Sequence, residues 1–317
     1  MTPDLSGVEL FADLPAREQE HLAQMMRPFE APVGATLFSE GDAGDGLYVL
    51  AEGALQVVRP GPHGMSVPLA TLGPGSVVGE LSMLGAGTRT ATVVVARAAS
   101  GWQLAREAAS IALLHRVSLL AVARMRDRYE AIAEQLGVTP EAGTFPGALP
   151  EAPPDPRELE HLATTLLFAR LRPDQFADVT AGVRRLFAAR GALVLAPGVP
   201  PPALYVVVRG AVEVAIRGPE FVQRVRLAGP GRAIGQLGLL GSEPGVAEAR
   251  ARERTVLLEL SWPRVHALLD GATDAARAFV LAFGEDLVRA LRYAERPVAA
   301  LRVASGPVDA PLQQVRA

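Results

Sequence analysis

Hydrophobic and polar positions along the chain follow two periods. Between residues 36 and 95, short apolar runs alternate with glycine turns: Thr36–Phe38, Leu47–Leu50, Ala54–Val58, Val67–Leu72, Val77–Val78 and Thr92–Val95. Strands this short at close spacing predict a β-roll or jelly-roll rather than a parallel sheet. Gly34, Gly41, Gly46, Gly53 and Gly73 fall where the chain must turn a corner. On either side the period becomes helical. Pro15–Met26 reads as a short opening helix, and Ser118–Leu136 as a closing one. The closing helix carries Leu119, Val122, Met125, Tyr129, Ile132 and Leu136 at spacings of three and four, which makes one apolar stripe. Two readings of that stripe stay open: packing on its own roll, or a dimer seam.

The same plan then recurs. Leu10-Phe11-Ala12 returns as Leu167-Phe168-Ala169, Gly34 as Gly191, Gly41 as Gly198, Leu47-Tyr48-Val49 as Leu204-Tyr205-Val206, and Gly53-Ala54 as Gly210-Ala211, always 157 positions on. Gly73-Pro74-Gly75 meets Gly229-Pro230-Gly231 one position earlier, a single deletion in the turn between. Landmarks that keep register over this distance identify an internal duplication. Pro140, Pro146, Pro150, Pro153, Pro154 and Pro156 crowd the segment between the copies, which reads as an exposed, semi-stiff linker. The expected organisation is a first domain over 1–138, a linker over 139–156, a second domain over 157–296 and a flexible tail over 297–317. The fold class is mainly β with flanking helices (α+β): two tandem β-rolls, each with an N-terminal helix and C-terminal helices.

Composition narrows the chemistry. The 317 residues, 49% of them hydrophobic, suffice for two domains. The formal net charge of −3 shows no basic surplus for gripping nucleic acid. With no cysteine, disulfides, thiolate metal sites and cysteine nucleophiles are excluded. The start carries no secretory pattern, and no apolar run approaches the roughly 18 residues of a membrane span, so a cytoplasmic location is expected. All 31 basic residues are arginine, so no single arginine is informative alone.

Candidate chemistry concentrates in one segment. Val78-Gly79-Glu80-Leu81-Ser82-Met83-Leu84 ends a strand at a glycine and begins a short apolar turn. Gly85 to Thr90 then bring Arg89 back before the next strand. The first amides of such a turn lack internal partners and favour an anion. A guanidinium presents a planar fork to phosphate. Glu80 would repel phosphate but can accept from a sugar hydroxyl.

This segment resembles the phosphate-binding cassette of the cyclic-nucleotide-binding domain family, which includes catabolite-activator-type regulators and protein kinase regulatory subunits. Gly41-Asp42, Gly44-Asp45, Leu47-Tyr48-Val49-Leu50, Gly53 and Leu72-Gly73-Pro74-Gly75 are similar to the family's upstream pattern. The resemblance implies two tandem cyclic-nucleotide-binding β-rolls covering nearly the whole chain. It implies that Gly79 and Leu81 line the site, that Glu80 holds the ribose 2′-hydroxyl, and that Ser82 contacts the cassette. Arg89 and Thr90 would hold the cyclic phosphate. The expected ligand is cAMP ahead of cGMP, although Thr90 resembles the threonine that favours cGMP in kinase-type cassettes. Arg124 and Arg128 on the closing helix are base-contact candidates, against the plainer reading of a solvated helix face.

The second copy departs from the pattern. Gln236 stands in place of Glu80, Gly245 in place of Arg89 and Val246 in place of Thr90. Without its arginine a buried phosphate loses a bond worth about 1.5–3 kcal/mol. Arg232 and Arg250 are the candidates to reach inward, and a docking or dimerisation role is expected instead. The five histidines show no metal-ligand spacing. Ser82 lacks the flanking glycines of a nucleophile elbow, and Gly41–Gly46 has too few acids for a calcium loop and reads as a turn. No catalysis, cofactor or metal is expected. The ligand would be a cyclic nucleotide and the partner a protein effector or a second copy of the chain, with neither nucleic acid nor membrane. The rival reading is a ligand-independent scaffold.

Overall fold

The computed structural model describes residues 2–60, 66–85, 87–139, 143–144, 146–153, 155–218, 221–241, 244–271 and 273–305. By internal contacts the chain divides after Val117.

The first unit opens with α1 (Glu9–Ala12) and α2 (Ala16–Met25) and continues through β1 (Arg27–Ala31), β2 (Thr36–Phe38), β3 (Gly46–Pro60), β4 (Ser66–Leu72), β5 (Val77–Val78) and β6 (Thr92–Ala105). The strands are antiparallel in the order β1-β6-β3-β4, with β2 added on β6 and β5 on β3. The two runs Leu47–Leu50 and Ala54–Val58 are one strand. Gly53 is not a hairpin corner but a bulge at φ +97°, where a Cβ would lie 2.2 Å from the Ala98 carbonyl oxygen. β6 also runs ten residues past Val95, through a polar and small stretch whose pairing with β1 and β3 is set by the backbone rather than by apolar alternation. Tyr48, Leu50, Leu55, Val78, Val93 and Val95 form its core, with Phe29, Phe38 and Leu72 packed against them. Each fully buried aliphatic side chain contributes about 1.5–3 kcal/mol.

α3 spans Ile111–Gln135, and from Ser118 onward it belongs to the second unit. That unit continues with α4 (Pro156–Ala163), α5 (Pro173–Thr180), β7 (Arg184–Ala188), β8 (Leu193–Leu195), β9 (Ala203–Arg209), β10 (Val212–Arg217), β11 (Val222–Ala228), β12 (Ala233–Ile234), β13 (Glu248–Ala251), β14 (Thr255–Ser261), α6 (Trp262–Leu269) and α7 (Asp274–Ser305). Its strands make two antiparallel sheets, β11-β10-β13-β8 and β12-β9-β14-β7. The proline-rich segment is partly recruited to this roll. The Pro150 carbonyl accepts from Phe187 N (2.8 Å), and Ala152 N donates to the Arg185 carbonyl (2.8 Å). The last helix continues to Ser305 despite Pro297, into the stretch expected to be a flexible tail from residue 297.

The duplication is visible bond by bond. Gly34 N donates to Val95 O and Gly191 N to Ala251 O, both at 2.8 Å. Gly75 N donates to Leu50 O and Gly231 N to Val207 O, again both at 2.8 Å. Gly41 N donates to Arg89 O (3.0 Å) and Gly198 N to Gly245 O (2.8 Å), so Gly245 occupies the backbone place of Arg89.

Candidate functional site

In the first roll β5 pairs with Tyr48 and Val49 of β3 and delivers the chain to Gly79. Gly79 has φ +79°, the left-handed region that disfavours side chains. A Cβ there would lie 2.1 Å from Arg89 Nη1, so glycine is required twice over. Residues Glu80–Met83 then form one 3-10 turn in which all four are buried. Ser82 N and Ser82 Oγ both donate to the Gly79 carbonyl, at 3.1 and 2.7 Å, which pins the turn to its first residue.

Arg89 is the centre of the site. It is only 1% exposed, the bulkiest of the fully buried side chains among the described residues. Its Nη1 donates to Gly46 O (2.7 Å), Gly79 O (3.1 Å) and Ser82 Oγ (2.9 Å), and its Nη2 to Asp45 Oδ1 (2.6 Å). The guanidinium carbon lies 4.0 Å from the centre of the Phe38 ring and 5.6 Å from that of Tyr48, positions where the ring faces attract a cation. Burial draws the guanidinium pKa below its ordinary value, and Asp45, Tyr48 and then Glu80 oppose that pull. The nearby phenol of Tyr48 is pushed up by burial and then by Asp45.

Asp45 is a member of this cluster to which the sequence reading assigned no role of its own, since Gly41–Gly46 read as a plain turn. The loop is a clamp on the cassette. Gly41 N donates to the Arg89 carbonyl and Arg89 N donates to the Asp42 carbonyl, Gly44 N donates to Gly87 O, and the Asp45 carboxylate takes the guanidinium. Asp45 itself is 65% exposed and its other oxygen accepts from Gln103 Nε2 at 2.9 Å. A carboxylate that faces water is thus bonded to a cation that does not.

The remaining expected residues fall around this core. Leu81 and Glu80 are buried in the turn. Thr90 is half-buried, and its carbonyl accepts from Arg59 Nη2 at 3.2 Å. Arg124 and Arg128 lie half-buried on the part of α3 that packs in the second unit.

In the second roll Gly235 repeats the left-handed corner at φ +90°, followed by the turn Gln236–Leu240. Gln236 is buried where Glu80 stands in the first roll. Its Nε2 donates to Ala233 O (2.8 Å) and to Asp286 Oδ2 on α7 (3.2 Å), while its Oε1 accepts from Arg226 Nη2 (3.0 Å). Asp286 also accepts from Ala233 N (3.2 Å) and Arg232 Nη1 (3.3 Å).

The family model described as "Cyclic nucleotide-binding domain" matches residues 28–114 and 185–271, one segment in each roll. The chain belongs to the cyclic nucleotide-binding domain family.

Among relatives of this family, the cAMP-dependent protein kinase regulatory subunit of Emericella nidulans is 26% identical over 279 residues, 84% of this chain and 56% of the relative. The CRP-like cAMP-activated global transcriptional regulator of Mycobacterium tuberculosis is 37% identical over 82 residues, 25% of this chain and 37% of the relative. The chain thus spans about half, or less, of the length of these two proteins. The solved regulatory domain of Toxoplasma gondii PKA with cAMP is 19% identical, covers 84% of this chain and 89% of that one, and aligns with a TM-score of 0.31.

Of the two cyclic nucleotide-binding domains, the second keeps its arginine in an unexpected place. Arg226, 6% exposed on β11, is the inward one, at the position where the first domain has Ala70. Arg232 is tied to Asp286, and Arg250 to Glu248 and the Gly191 carbonyl. In so arginine-rich a chain only the alternation of β11 could have singled Arg226 out, and a bulge in β11 at Val225, opposite Val214 and Ala215, breaks that alternation. Among the described residues no cluster of His, Cys, Asp and Glu could hold a metal ion, and no helix is long and apolar enough to cross a membrane.

Proposed function

We propose that the chain is a non-catalytic regulatory protein whose first domain senses a cyclic nucleotide, cAMP ahead of cGMP. It signals through contacts with a protein effector or a second copy of itself, in the cytoplasm. The observation that carries this reading is the buried guanidinium of Arg89, held against the Gly79–Ser82 turn and paired with Asp45. Such a cation has already been desolvated and aimed before ligand arrives. The cyclic phosphate would be received by Arg89, Thr90 and the amides of the turn, with Gly79 and Leu81 lining it and Ser82 bracing the turn. Glu80 would take the ribose hydroxyl. Kinship with regulatory subunits supports a role without chemistry of its own.

Calorimetry with cAMP and cGMP tests this reading. Arg89→Ala is expected to lose the charge-assisted bond worth about 1.5–3 kcal/mol, a roughly 10- to 150-fold weaker Kd. Equal, weak binding by both proteins would overturn the pocket assignment. One observation favours the rival reading of a ligand-independent scaffold: the second domain keeps the whole fold while its cassette lacks the arginine. A melting temperature unmoved by millimolar cAMP or cGMP would decide for the scaffold, because a specific ligand must stabilise the folded state by mass action.

A further inference from the structure

The second domain keeps the shell of a pocket, but part of its interior is already taken. Tyr129 of α3 is 3% exposed and lines the cavity bounded by Gly235, Gln236, Leu237 and Ala249. Met125, one turn earlier, lines the same cavity. The space left is about 40 Å³, room for one or two waters and far too little for a nucleotide. The Tyr129 phenol is not merely apolar filling. Arg226 lines the same cavity and its positive charge acts on the phenol, but burial outweighs it and pushes the phenol pKa up, so the hydroxyl stays protonated.

Arg226 is built for such a neutral partner. Its Nη2 is held by the Ala233 carbonyl (2.7 Å) and Gln236 Oε1 (3.0 Å), and its Nε meets no acceptor among the described residues. Asp286 stands on the far side of Gln236. The cassette position carries a neutral amide in place of a carboxylate, and the cation sits on a strand instead of the loop that would wrap a phosphate. The stripe on α3, read from sequence as packing on its own roll or as a dimer seam, contributes Met125 and Tyr129 to this cavity instead.

We propose that the second domain is a receptor for its own chain: its pocket binds the Tyr129 side chain as a tethered ligand. The ligand class is a para-substituted phenol, its ring among apolar walls such as Val199, Pro201 and Val214, its hydroxyl beside Arg226. α3 starts at Ile111, soon after β6 of the first domain, so anything that draws this helix back empties the second pocket. That regulatory consequence rests on the reading of the first domain as a sensor; the docking itself does not.

Chemical rescue tests the docking in the full chain. Tyr129→Ala is expected to melt several degrees lower than wild type. Millimolar p-cresol should recover a few degrees in the variant and leave wild type unmoved. Toluene should recover less, because it offers Arg226 no oxygen, and Arg226→Met added to Tyr129→Ala should erase the difference between the two probes. No p-cresol-specific recovery in a folded Tyr129→Ala chain would overturn the proposal. If that variant does not fold, Tyr129→Phe decides: a melting temperature equal to wild type would show that the hydroxyl is not recognised, and a drop of a degree or more supports the latch. A separate arm uses Arg89→Ala with Tyr129 intact. Binding of cAMP by that chain that is lost on adding Arg226→Met would show an open second pocket and overturn the proposal. Failure of wild type to bind cAMP at all would strike only the sensor reading.

Discussion

The two domains share a backbone and disagree about chemistry. Gly79 and Gly235 turn the same left-handed corner, and the glycine pairs Gly41/Gly198 and Gly75/Gly231 make matching hydrogen bonds. Yet one domain places its buried guanidinium on the cassette loop and the other on β11. The first meets its cation with an exposed carboxylate, Asp45, that a ligand or solvent can reach. The second meets it with a glutamine and a tyrosine, both buried. The lesson is that glycine corners and strand pairing set this fold, while the pocket's charge depends on a few side chains that can move between elements without disturbing the frame. A pocket can therefore lose its nucleotide chemistry and still have something to bind.

The glycine corner offers the sharpest way to test that separation. Gly79→Ala and Gly235→Ala both force a side chain into the left-handed region, at roughly 1–2 kcal/mol each. Only in the first domain does the new Cβ also strike the guanidinium, 2.1 Å from Arg89 Nη1; in the second its nearest atom is the Ala203 carbonyl oxygen at 2.7 Å. Both variants should melt lower, but Gly79→Ala should in addition lose at least tenfold in cyclic-nucleotide affinity by calorimetry, with Gly235→Ala unchanged. Equal ligand binding by both would mean that the two corners are not functionally different.

Asp45→Asn probes the next largest effect. Breaking a buried ion pair costs about 3–5 kcal/mol, but Asp45 is mostly exposed, and solvent screening reduces the expected loss to about 1–2 kcal/mol. The unliganded variant should melt a few degrees lower. Saturating nucleotide should then raise its melting temperature by more than it raises that of wild type, because the phosphate supplies the negative charge that Arg89 has lost. A smaller ligand-induced rise than in wild type would show that Asp45 acts by orienting the fork rather than by neutralising it.

Much of this was legible in the sequence because glycines and apolar alternation report backbone geometry directly. The repeat step located Gly245 opposite Arg89, and the shared bond to Gly198 and Gly41 agrees with it. The turn Gly79–Ser82 and the inward Arg89 were likewise readable from an ordered pattern. What stayed hidden depends on partners far along the chain. Asp45 lies 44 positions from Arg89, Tyr129 lies 97 positions from Arg226, and Asp286 lies 50 from Gln236. No local period encodes such pairs. Thirty-one arginines also made each one look like surface, and the stripe on α3 could say that one face was buried but not against which roll.

The smallest effect is the most discriminating about why the cassettes diverged. Gln236→Glu restores the first domain's residue, so if the two pockets differed only in their arginine it should be harmless. The geometry predicts otherwise. Gln236 Nε2 now donates to Ala233 O and to Asp286 Oδ2; a carboxylate oxygen in that place would face two acceptors, one of them charged. The stronger bond from Arg226 to the other oxygen offsets part of this loss, leaving a net cost of about 1 kcal/mol, the scale of a single hydrogen bond. A drop of a degree or two in melting temperature is expected, shrinking as the pH is lowered, because protonating either carboxyl removes the repulsion and returns a donor. Replacing Asp286 with asparagine in the same chain should abolish that pH dependence. A Gln236→Glu protein as stable as wild type at neutral pH would mean that Asp286 does not select the amide, and that the glutamine records only the loss of a ribose to hold.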